Sequence, residues 1–408
     1  MQRTAQDWIV LAELTPQNAT AVGIVMALQF GPSLFLLPLT GFAADHFDRR
    51  KLLLATQAAQ GLLALGLGVL TVTGLVHLWH VYAFALLLGC VTAFDAPARQ
   101  TFVAELVSDA LLSNAVALNS TSFNVARMIG PAIAGVLIAG IGSGPVFLIN
   151  AATFMAVLAA LALMREAQLH RHERAVRKPG SLAAGFRYLQ GRPDLLTVLA
   201  MLFVFATFGI NFPVFVSAMA VKAFHAGSGA FGLLSSTLAI GSVTGALFAA
   251  HRERPRAVLL LAASASFGVA LVIAALMPNY VLFGLALILV GWSAQTFNTT
   301  ANSITQLWTE PAMRGRVMAI YMAILMGCTP LGSPLVGWVA DRFGPRWSLA
   351  IGAAAGFVAA LIGIAYLWRY RGLRVALQAG RLRVVLPRDE ALVEAGGGDV
   401  RSPDNGAR

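Results

Sequence analysis

Long apolar runs alternate with short polar loops along most of this chain. A helix that rises 1.5 Å per residue needs about 20 apolar residues to cross a hydrocarbon core of about 30 Å. Backbone groups in lipid must be hydrogen-bonded within their own element, so such runs predict helices. The pattern predicts an all-α, polytopic membrane protein with eleven spans, at residues 20–44, 52–73, 79–101, 114–140, 144–165, 195–219, 229–250, 257–277, 280–303, 316–340 and 346–368.

Composition agrees with this pattern and excludes a soluble globular protein. Apolar residues make up 58% of the chain and charged residues only 12%, whereas soluble domains have roughly a quarter of their residues charged. Neither the histidines nor the two cysteines form a cluster with carboxylates at metal-ligand spacing. We therefore expect no cofactor and no metal site.

The net charge of +11 comes from Lys and Arg residues that cluster in alternate loops. Basic loops mark the cytoplasmic side of a membrane protein, so these loops and the C-terminus are predicted to be cytoplasmic. No basic folded domain is present that could hold a nucleic acid, and none is expected as a partner. The basic groups lie at residues 49–51, 165–192, 252–256, 314–316 and from 369 onward.

The first apolar segment is short. About ten residues precede the polar loop at residues 15–18, and they would rise about 15 Å, which is half of a membrane. The segment lacks the three sections of a signal peptide. We expect it to be the C-terminal half of the first of twelve helices, with the N-terminal half encoded upstream of Met1.

A weak internal repeat divides the chain. Gly130, Gly135 and Gly142 align without gaps with Gly332, Gly337 and Gly344. Such a repeat predicts two six-helix bundles of about 200 residues each. The bundles would be residues 1–165 and 194–369, joined by a cytoplasmic linker at 166–193 that contains a short amphipathic helix, and followed by a disordered cytoplasmic tail at 370–408.

Arg127 lies deep in an apolar run, about 18 Å from the point where that run enters the membrane. A charge at this depth is costly unless it faces water or a partner. Asn124 and Arg127 share one helix face with Ser120 and Pro131, which predicts a face that lines a central cavity. The alternative is an arginine bonded to the carbonyl groups of a neighbouring helix for structure alone.

Other polar residues inside the spans are candidates for the substrate and proton pathway. Asp7 is predicted to lie at nearly the same depth as Arg127. Asp95 is one helical turn before Arg99, so a local ion pair is expected despite the intervening Pro97. Gln295, Asn298 and Asn302, followed by Gln306, form an amide stripe that suits a varied polar cargo, although bonds to a neighbouring helix would also explain it.

The segment GFAADHFDRRK at residues 41–51 resembles the signature loop of the major facilitator superfamily. The resemblance implies a gate in which Asp45 is the carboxylate, Arg49 and Arg50 are its cationic partners, and Gly41 permits close helix approach. His46 and Asp48 depart from the usual pattern and alter the charge balance of that gate. Simple basic anchoring would explain the arginines without Gly41 and Asp45.

Three further segments, beginning at Phe94, Asn114 and Asn302, resemble the branch that includes enterobactin exporters and macrolide efflux proteins. The resemblance implies twelve helices and export driven by the proton gradient. It also places the first and fifth helices side by side, so we expect Asp7 and Arg127 to form a functional pair. Gly130, Pro131 and Gly135 are similar to the antiporter motif and imply a helix bend; small-residue packing is the alternative.

These observations predict a monomeric efflux transporter in a bacterial inner membrane that exchanges a small amphipathic molecule, a siderophore or a drug, for protons. Two other functions stay open. A polytopic membrane enzyme is disfavoured because no His, Asp or Glu constellation and no phosphate-binding loop is present. A sensor or scaffold that keeps the fold without transporting would show the same spans.

Overall fold

The structure is a computed structural model. It describes residues 1–36, 39–40, 47–108, 111–165, 182–250, 257–371, 374–378 and 381–385. Within these ranges the chain is built from helices, as the apolar pattern predicts, apart from one hairpin that follows the last helix.

The described residues of the first half form six α-helices. Helix α1 (Gln2–Trp8) continues as a π-helical segment (Ile9–Leu14), and α2 (Ala19–Phe35) begins after Asn18, whose side chain accepts a hydrogen bond from the Ala21 amide. That contact satisfies one of the amides that a helix start leaves unpaired. The remaining helices are α3 (Arg49–Val72), α4 (Leu78–Glu105), α5 (Leu112–Ile141) and α6 (Ser143–Leu163).

The second half begins with a short linker helix, α7 (Leu182–Gln190). Two of its spans are interrupted. Helix α8 (Pro193–Val204) and α9 (Phe212–Ala218) each end in a π-helical segment, Phe205–Gly209 and Met219–Ala223, and together form one span. The others are α10 (Ser228–Ala250), α11 (Ala257–Leu276), α12 (Tyr280–Trp308), the pair α13 (Arg314–Gly327) and α14 (Thr329–Arg342), and α15 (Pro345–Arg371).

Ten helical stretches of the described chain are long and apolar enough to cross a membrane. They match ten of the eleven predicted spans. Several extend a few residues further than the apolar runs, because polar residues continue the helix beyond the hydrocarbon region. The eleventh prediction, 20–44, corresponds to α2, which has 17 described helical residues.

The two halves meet along two helix pairs, α2 with α14 and α5 with α10. At both, glycine allows backbones to touch. A side chain at Gly23 would collide with the Ser333 carbonyl, and one at Gly135 would collide with the backbone of Gly232. Small residues permit such close approach in membrane helix pairs.

The predicted linker helix is present as α7 and lies against α13. Gly185 faces Arg316 and Ile320 there, and Leu189 is buried. Residues 166–181 lie outside the described residues. The tail was predicted to be disordered, but part of it forms an antiparallel hairpin of β1 (Arg374–Gln378) and β2 (Arg381–Val385). The prediction was based on the Gly content and the mixed charge of the tail, and composition alone does not show that two short segments pair through their backbones.

Candidate functional site

Helix α1 carries four polar side chains on one broad face. Gln2 accepts a hydrogen bond from Asn150 of α6 (3.1 Å), and Gln6 accepts one from Gln29 of α2 (2.9 Å). Gln2 and Gln6 are buried, and Nε2 of each has no acceptor among the described residues. The face therefore offers spare hydrogen-bond donors inside the first bundle.

Arg3 and Asp7 lie one turn apart on this face. The Asp7 side chain is buried, and the Arg3 guanidinium stacks 4.8 Å from the centre of the Phe30 ring. Arg3 interacts electrostatically with both Asp7 and Arg127. Asp7 and Arg127 make no direct ion pair in the part of the chain that the structure describes, and the functional pair expected between them stays a prediction.

Arg127 occupies the middle of α5, and its side chain is exposed. A cation at this depth in a span needs water or a partner, and the apolar Phe123 and Ile129 of the same helix are exposed as well. Asn124, on the same face, donates to the Ser120 carbonyl at 2.8 Å. Asn124 thus bonds within its own helix, and the described residues of the other helices offer it no partner.

The Gly130, Pro131 and Gly135 motif lies within a continuous α5. Gly135 and the Pro131 carbonyl face Gly232 of α10, whereas a side chain at Gly130 would meet nothing within 4 Å. Gly135 therefore serves the contact between the two halves. Gly130 has no packing role among the described residues, which leaves the bending interpretation of that residue untested.

Asp95 is fully buried and accepts three hydrogen bonds. Arg99 donates at 2.5 Å to one carboxylate oxygen, while Thr56 (2.9 Å) and Gln57 (2.6 Å) of α3 donate to the other. The predicted pair with Arg99 is present. Sequence reasoning missed the two α3 donors, which share one side of that helix with the also buried Gln60.

The amide stripe on α12 is half exposed at Gln295, Asn298 and Asn302. Asn298 accepts a hydrogen bond from the buried Tyr321 hydroxyl of α13 at 2.9 Å. Gln295 bonds to Thr299 at 3.3 Å, and Gln306 to Asn302 at 2.6 Å. One member of the stripe is therefore bonded to a neighbouring helix, and the others bond along their own helix with part of their surface accessible.

The two arginines predicted to belong to the gate make their contacts inside the first bundle. Arg49 pairs with Glu105 at the end of α4 (2.5 Å), and Arg50 donates to the carbonyls of Leu161 and Ala162 at the end of α6 (both 2.9 Å). A cation at a helix C-terminus satisfies its free carbonyls. Gly41 and Asp45 lie outside the described residues.

We call this end of the molecule, which also carries Arg192 and Arg314, the basic end.

At the opposite end, Asp341 joins three helices. Its two oxygens accept hydrogen bonds from the Ala19 amide (2.8 Å), the Thr20 amide (2.8 Å), the Thr20 hydroxyl (2.5 Å) and Lys222 Nζ (2.6 Å). Sequence reasoning did not single out this residue. Its position at the end of a span, followed by an arginine, resembles ordinary loop chemistry.

The family follows from a match that covers nearly all of this architecture. Residues 1–379 match the family described as transmembrane secretion effector. This chain belongs to that family. The family is part of the major facilitator superfamily, as the signature loop implied. The members of the family are transporters.

Two curated relatives of this secretion effector are similar over most of their length. The staphyloferrin A transporter of Staphylococcus aureus (strain NCTC 8325 / PS 47) is 29% identical over 344 residues, which are 83% of this chain and 85% of that protein. The enterobactin exporter EntS of Shigella boydii serotype 18 is 27% identical over 362 residues, 87% of this chain and 84% of that protein.

Solved structures share the fold of this secretion effector at low identity. A D-xylose-proton symporter superposes with a TM-score of 0.68 at 14% identity, covering 94% of each chain. A POT family transporter in complex with 5-aminolevulinic acid gives 0.69 at 10% identity, covering 90% of this chain and 92% of that one. The two-bundle fold of this transporter family is therefore present here.

Proposed function

We propose that this protein exports a small siderophore-type molecule across the bacterial inner membrane in exchange for protons. The observation that carries the proposal is the charged set on α1 and α5: a buried carboxylate, Asp7, within electrostatic reach of Arg3, which also interacts with the accessible Arg127. Ionisable groups inside a membrane domain mark ion and substrate pathways.

The charge of this set favours an anionic cargo. The set contains two guanidiniums and one carboxylate, and Gln2 and Gln6 add buried Nε2 donors that have no acceptor among the described residues. A cargo with carboxylate or catecholate oxygens would accept from these groups. The names of the curated relatives, both of which handle siderophores, support the same class.

Proton exchange follows from competition for Asp7. Arg3 compensates the charge of the buried Asp7 carboxylate; an anionic cargo that engages Arg3 leaves Asp7 less compensated and favours uptake of a proton. Cargo and proton binding are then coupled through one set of charges. The basic end faces the cytoplasm in this proposal, in accord with the positive-inside rule.

The test is accumulation of a labelled siderophore in cells that lack their own exporter, with this full chain or an empty vector. We expect lower accumulation with the chain, and loss of the difference when a protonophore collapses the gradient. Equal accumulation with and without the chain would exclude export of that cargo, and parallel arms with enterobactin, a citrate-based siderophore and a macrolide separate the cargo classes. If every arm is negative while the protein is folded in the membrane, a scaffold that does not transport becomes the better hypothesis.

A further inference from the structure

The signature loop of the first half has a second copy in the chain. Residues 41–50 read GFAADHFDRR, and residues 337–346 read GWVADRFGPR. Glycine, alanine, aspartate, phenylalanine and arginine recur at the same spacing, with Gly337 and Asp341 matching Gly41 and Asp45. The first copy precedes α3 at the basic end, and the second ends α14 at the opposite end.

The aspartate of the second copy caps a helix of the other bundle. A helix start leaves its first amides without partners inside the helix. At the start of α2, Asn18 accepts from the Ala21 amide, and Asp341 accepts from the Ala19 and Thr20 amides. A carboxylate at this position also complements the positive end of the helix dipole.

The glycine of the second copy makes that cap possible. A side chain at Gly337 would collide with the Ala19 carbonyl and with the backbone of Thr20. One turn deeper, Ser333 donates to the Gly23 carbonyl at 2.9 Å. Glycine and aspartate four residues apart thus bring α14 against α2 and then place the carboxylate on the amides.

Lys222 completes the contact from the span formed by α8 and α9. Its Nζ lies 2.6 Å from Asp341, and both side chains are about one-fifth exposed (19% and 23%). The Asp341 carboxylate thus accepts four hydrogen bonds, from the Ala19 amide, the Thr20 amide and hydroxyl, and Lys222. These four bonds fill the acceptor capacity of the carboxylate. One acidic side chain therefore connects the first bundle to two spans of the second.

We propose that Asp341 is the latch of the gate at the opposite end, a positioning residue that holds the two bundles together there during part of the transport cycle. This proposal rests on the proposed function, because a latch has a role only in a protein that alternates between two states during transport. Separating α2 from α14 would leave two amides and a hydroxyl of the first bundle without their common acceptor, while Lys222 stays beside Asp341 in the second bundle. The charge of Asp341 therefore favours the state closed at this end, and only an interaction that differs between two states can shift their equilibrium.

The test measures distance rather than export, so it is independent of whether the cargo has been identified correctly. Spin labels at Thr73→Cys and Pro278→Cys, in a Cys90→Ala and Cys328→Ala background of the full chain in nanodiscs, report on exposed loops of different bundles at this end. We expect Asp341→Asn to shift the ratio of long to short distances about tenfold, since charge-assisted hydrogen bonds are lost in the closed state alone.

Three comparisons separate a latch from a simple ion pair. Lys222→Met should produce a smaller shift, because the helix cap stays. Exchanging the charges, Asp341→Lys with Lys222→Asp, restores a pair but places a cation at the start of α2, so the distances should remain long. Arg342→Gln removes an exposed charge in the same loop, for which no contact is described, and should leave the distances unchanged.

Stability measurements decide whether Asp341 has a structural role only. A lower melting temperature with an unchanged distance distribution in Asp341→Asn would overturn the latch, and so would wild-type distances in the charge exchange. If Asp341→Asn does not fold, Thr20→Val removes a single donor and should give a smaller shift in the same direction. An unchanged distribution in folded Thr20→Val would then count against the proposal.

Discussion

Asp95 and Arg99 form an ion pair across one turn of α4 in which only the aspartate depends on its partner. The carboxylate is fully buried, whereas the Arg99 side chain is 52% exposed. Water can therefore stabilise the arginine charge when the aspartate is removed. Without Arg99, a buried charge keeps only the neutral donors of Thr56 and Gln57.

Arg99→Gln should accordingly destabilise the protein more than Asp95→Asn. We expect a loss of about 1–3 kcal/mol for Arg99→Gln, the cost of leaving a buried polar group without its partner, and about 1 kcal/mol for Asp95→Asn. Melting temperatures in one detergent, with the double variant to complete the cycle, measure this. A larger loss of stability in Asp95→Asn than in Arg99→Gln would show that the Asp95 carboxylate stabilises the α3–α4 contact even without the charge of Arg99.

Asp45→Asn should slow transport without reducing the amount of folded protein, because the resemblance gives this carboxylate partners that differ between the two states of a gate. Asp48 offers a matched control three residues further on. It is the N-cap of α3 and accepts from the Lys51 amide at 3.1 Å. Asp48→Ala should cost about 1 kcal/mol of stability and reduce export per folded molecule less than Asp45→Asn does. Equal losses of folded protein and of export in Asp45→Asn would favour simple anchoring.

Asp7→Asn should remove the pH dependence of export. It also leaves Arg3 without its nearby carboxylate, so we expect lower stability from the repulsion between Arg3 and Arg127. Asp7→Asn combined with Arg3→Gln should recover stability but not pH dependence. Export measured at several external pH values, with melting temperatures of the same variants, separates the two effects. A pH profile of Asp7→Asn that matches the wild type would move the proton site elsewhere, with Asp95 as the next candidate.

Gly130→Ala and Gly135→Ala should have opposite effects on stability. A methyl group at Gly130 meets nothing within 4 Å, and alanine in a helix interior is favoured over glycine by about 0.5–1 kcal/mol. A methyl group at Gly135 would collide with Ser228 and Gly232 backbone atoms, at a cost of about 1–3 kcal/mol. If bending at Gly130 is needed for export, Gly130→Ala will melt higher and export less; unchanged export would assign the motif to packing.

Single cysteines in the loops at residues 45–51, 166–193, 251–256 and 304–315 should react with a membrane-impermeant reagent only after the membrane is opened. The concentration of positive charge in these loops is the reason. Cys90 and Cys328 must first be replaced, since both are free thiols. A cysteine at His225 or Pro278 serves as the control that reacts from outside. Labelling of the 166–193 loop in intact cells would reverse the predicted orientation.

The helices could be predicted from the sequence because one physical requirement, backbone satisfaction in lipid, acts on every span. The same reasoning placed the Asp95 and Arg99 pair, since a spacing of four residues fixes both on one helix face. It also located α7, from the recurrence of Leu182, Gly185, Phe186 and Leu189. In each case the contact is local in the chain.

The features that could not be predicted from the sequence involve residues that are distant from each other in the chain. Asp341 and Thr20 are over 300 residues apart, and no periodicity brings them together. Arg3 was visible as a charge in an apolar segment, but its position between Asp7 and Arg127 depends on how α1 packs against α5. A search for repeats of the signature loop would have found Asp341, because the copy at residues 337–346 is recognisable without a structure.

In the seam between α2 and α14, main-chain atoms of the two helices approach closely at Gly23 and at Gly337, and the Ser333 hydroxyl bonds to the Gly23 carbonyl. Selection has little freedom to adjust such a seam, because any enlargement at Gly23, Ser333 or Gly337 forces the helices apart. The amide stripe on α12 carries no comparable restriction, since its side chains are partly accessible. If the proposed function is correct, substitutions in the amide stripe could therefore change the cargo of related proteins while the contact between α2 and α14 stays the same.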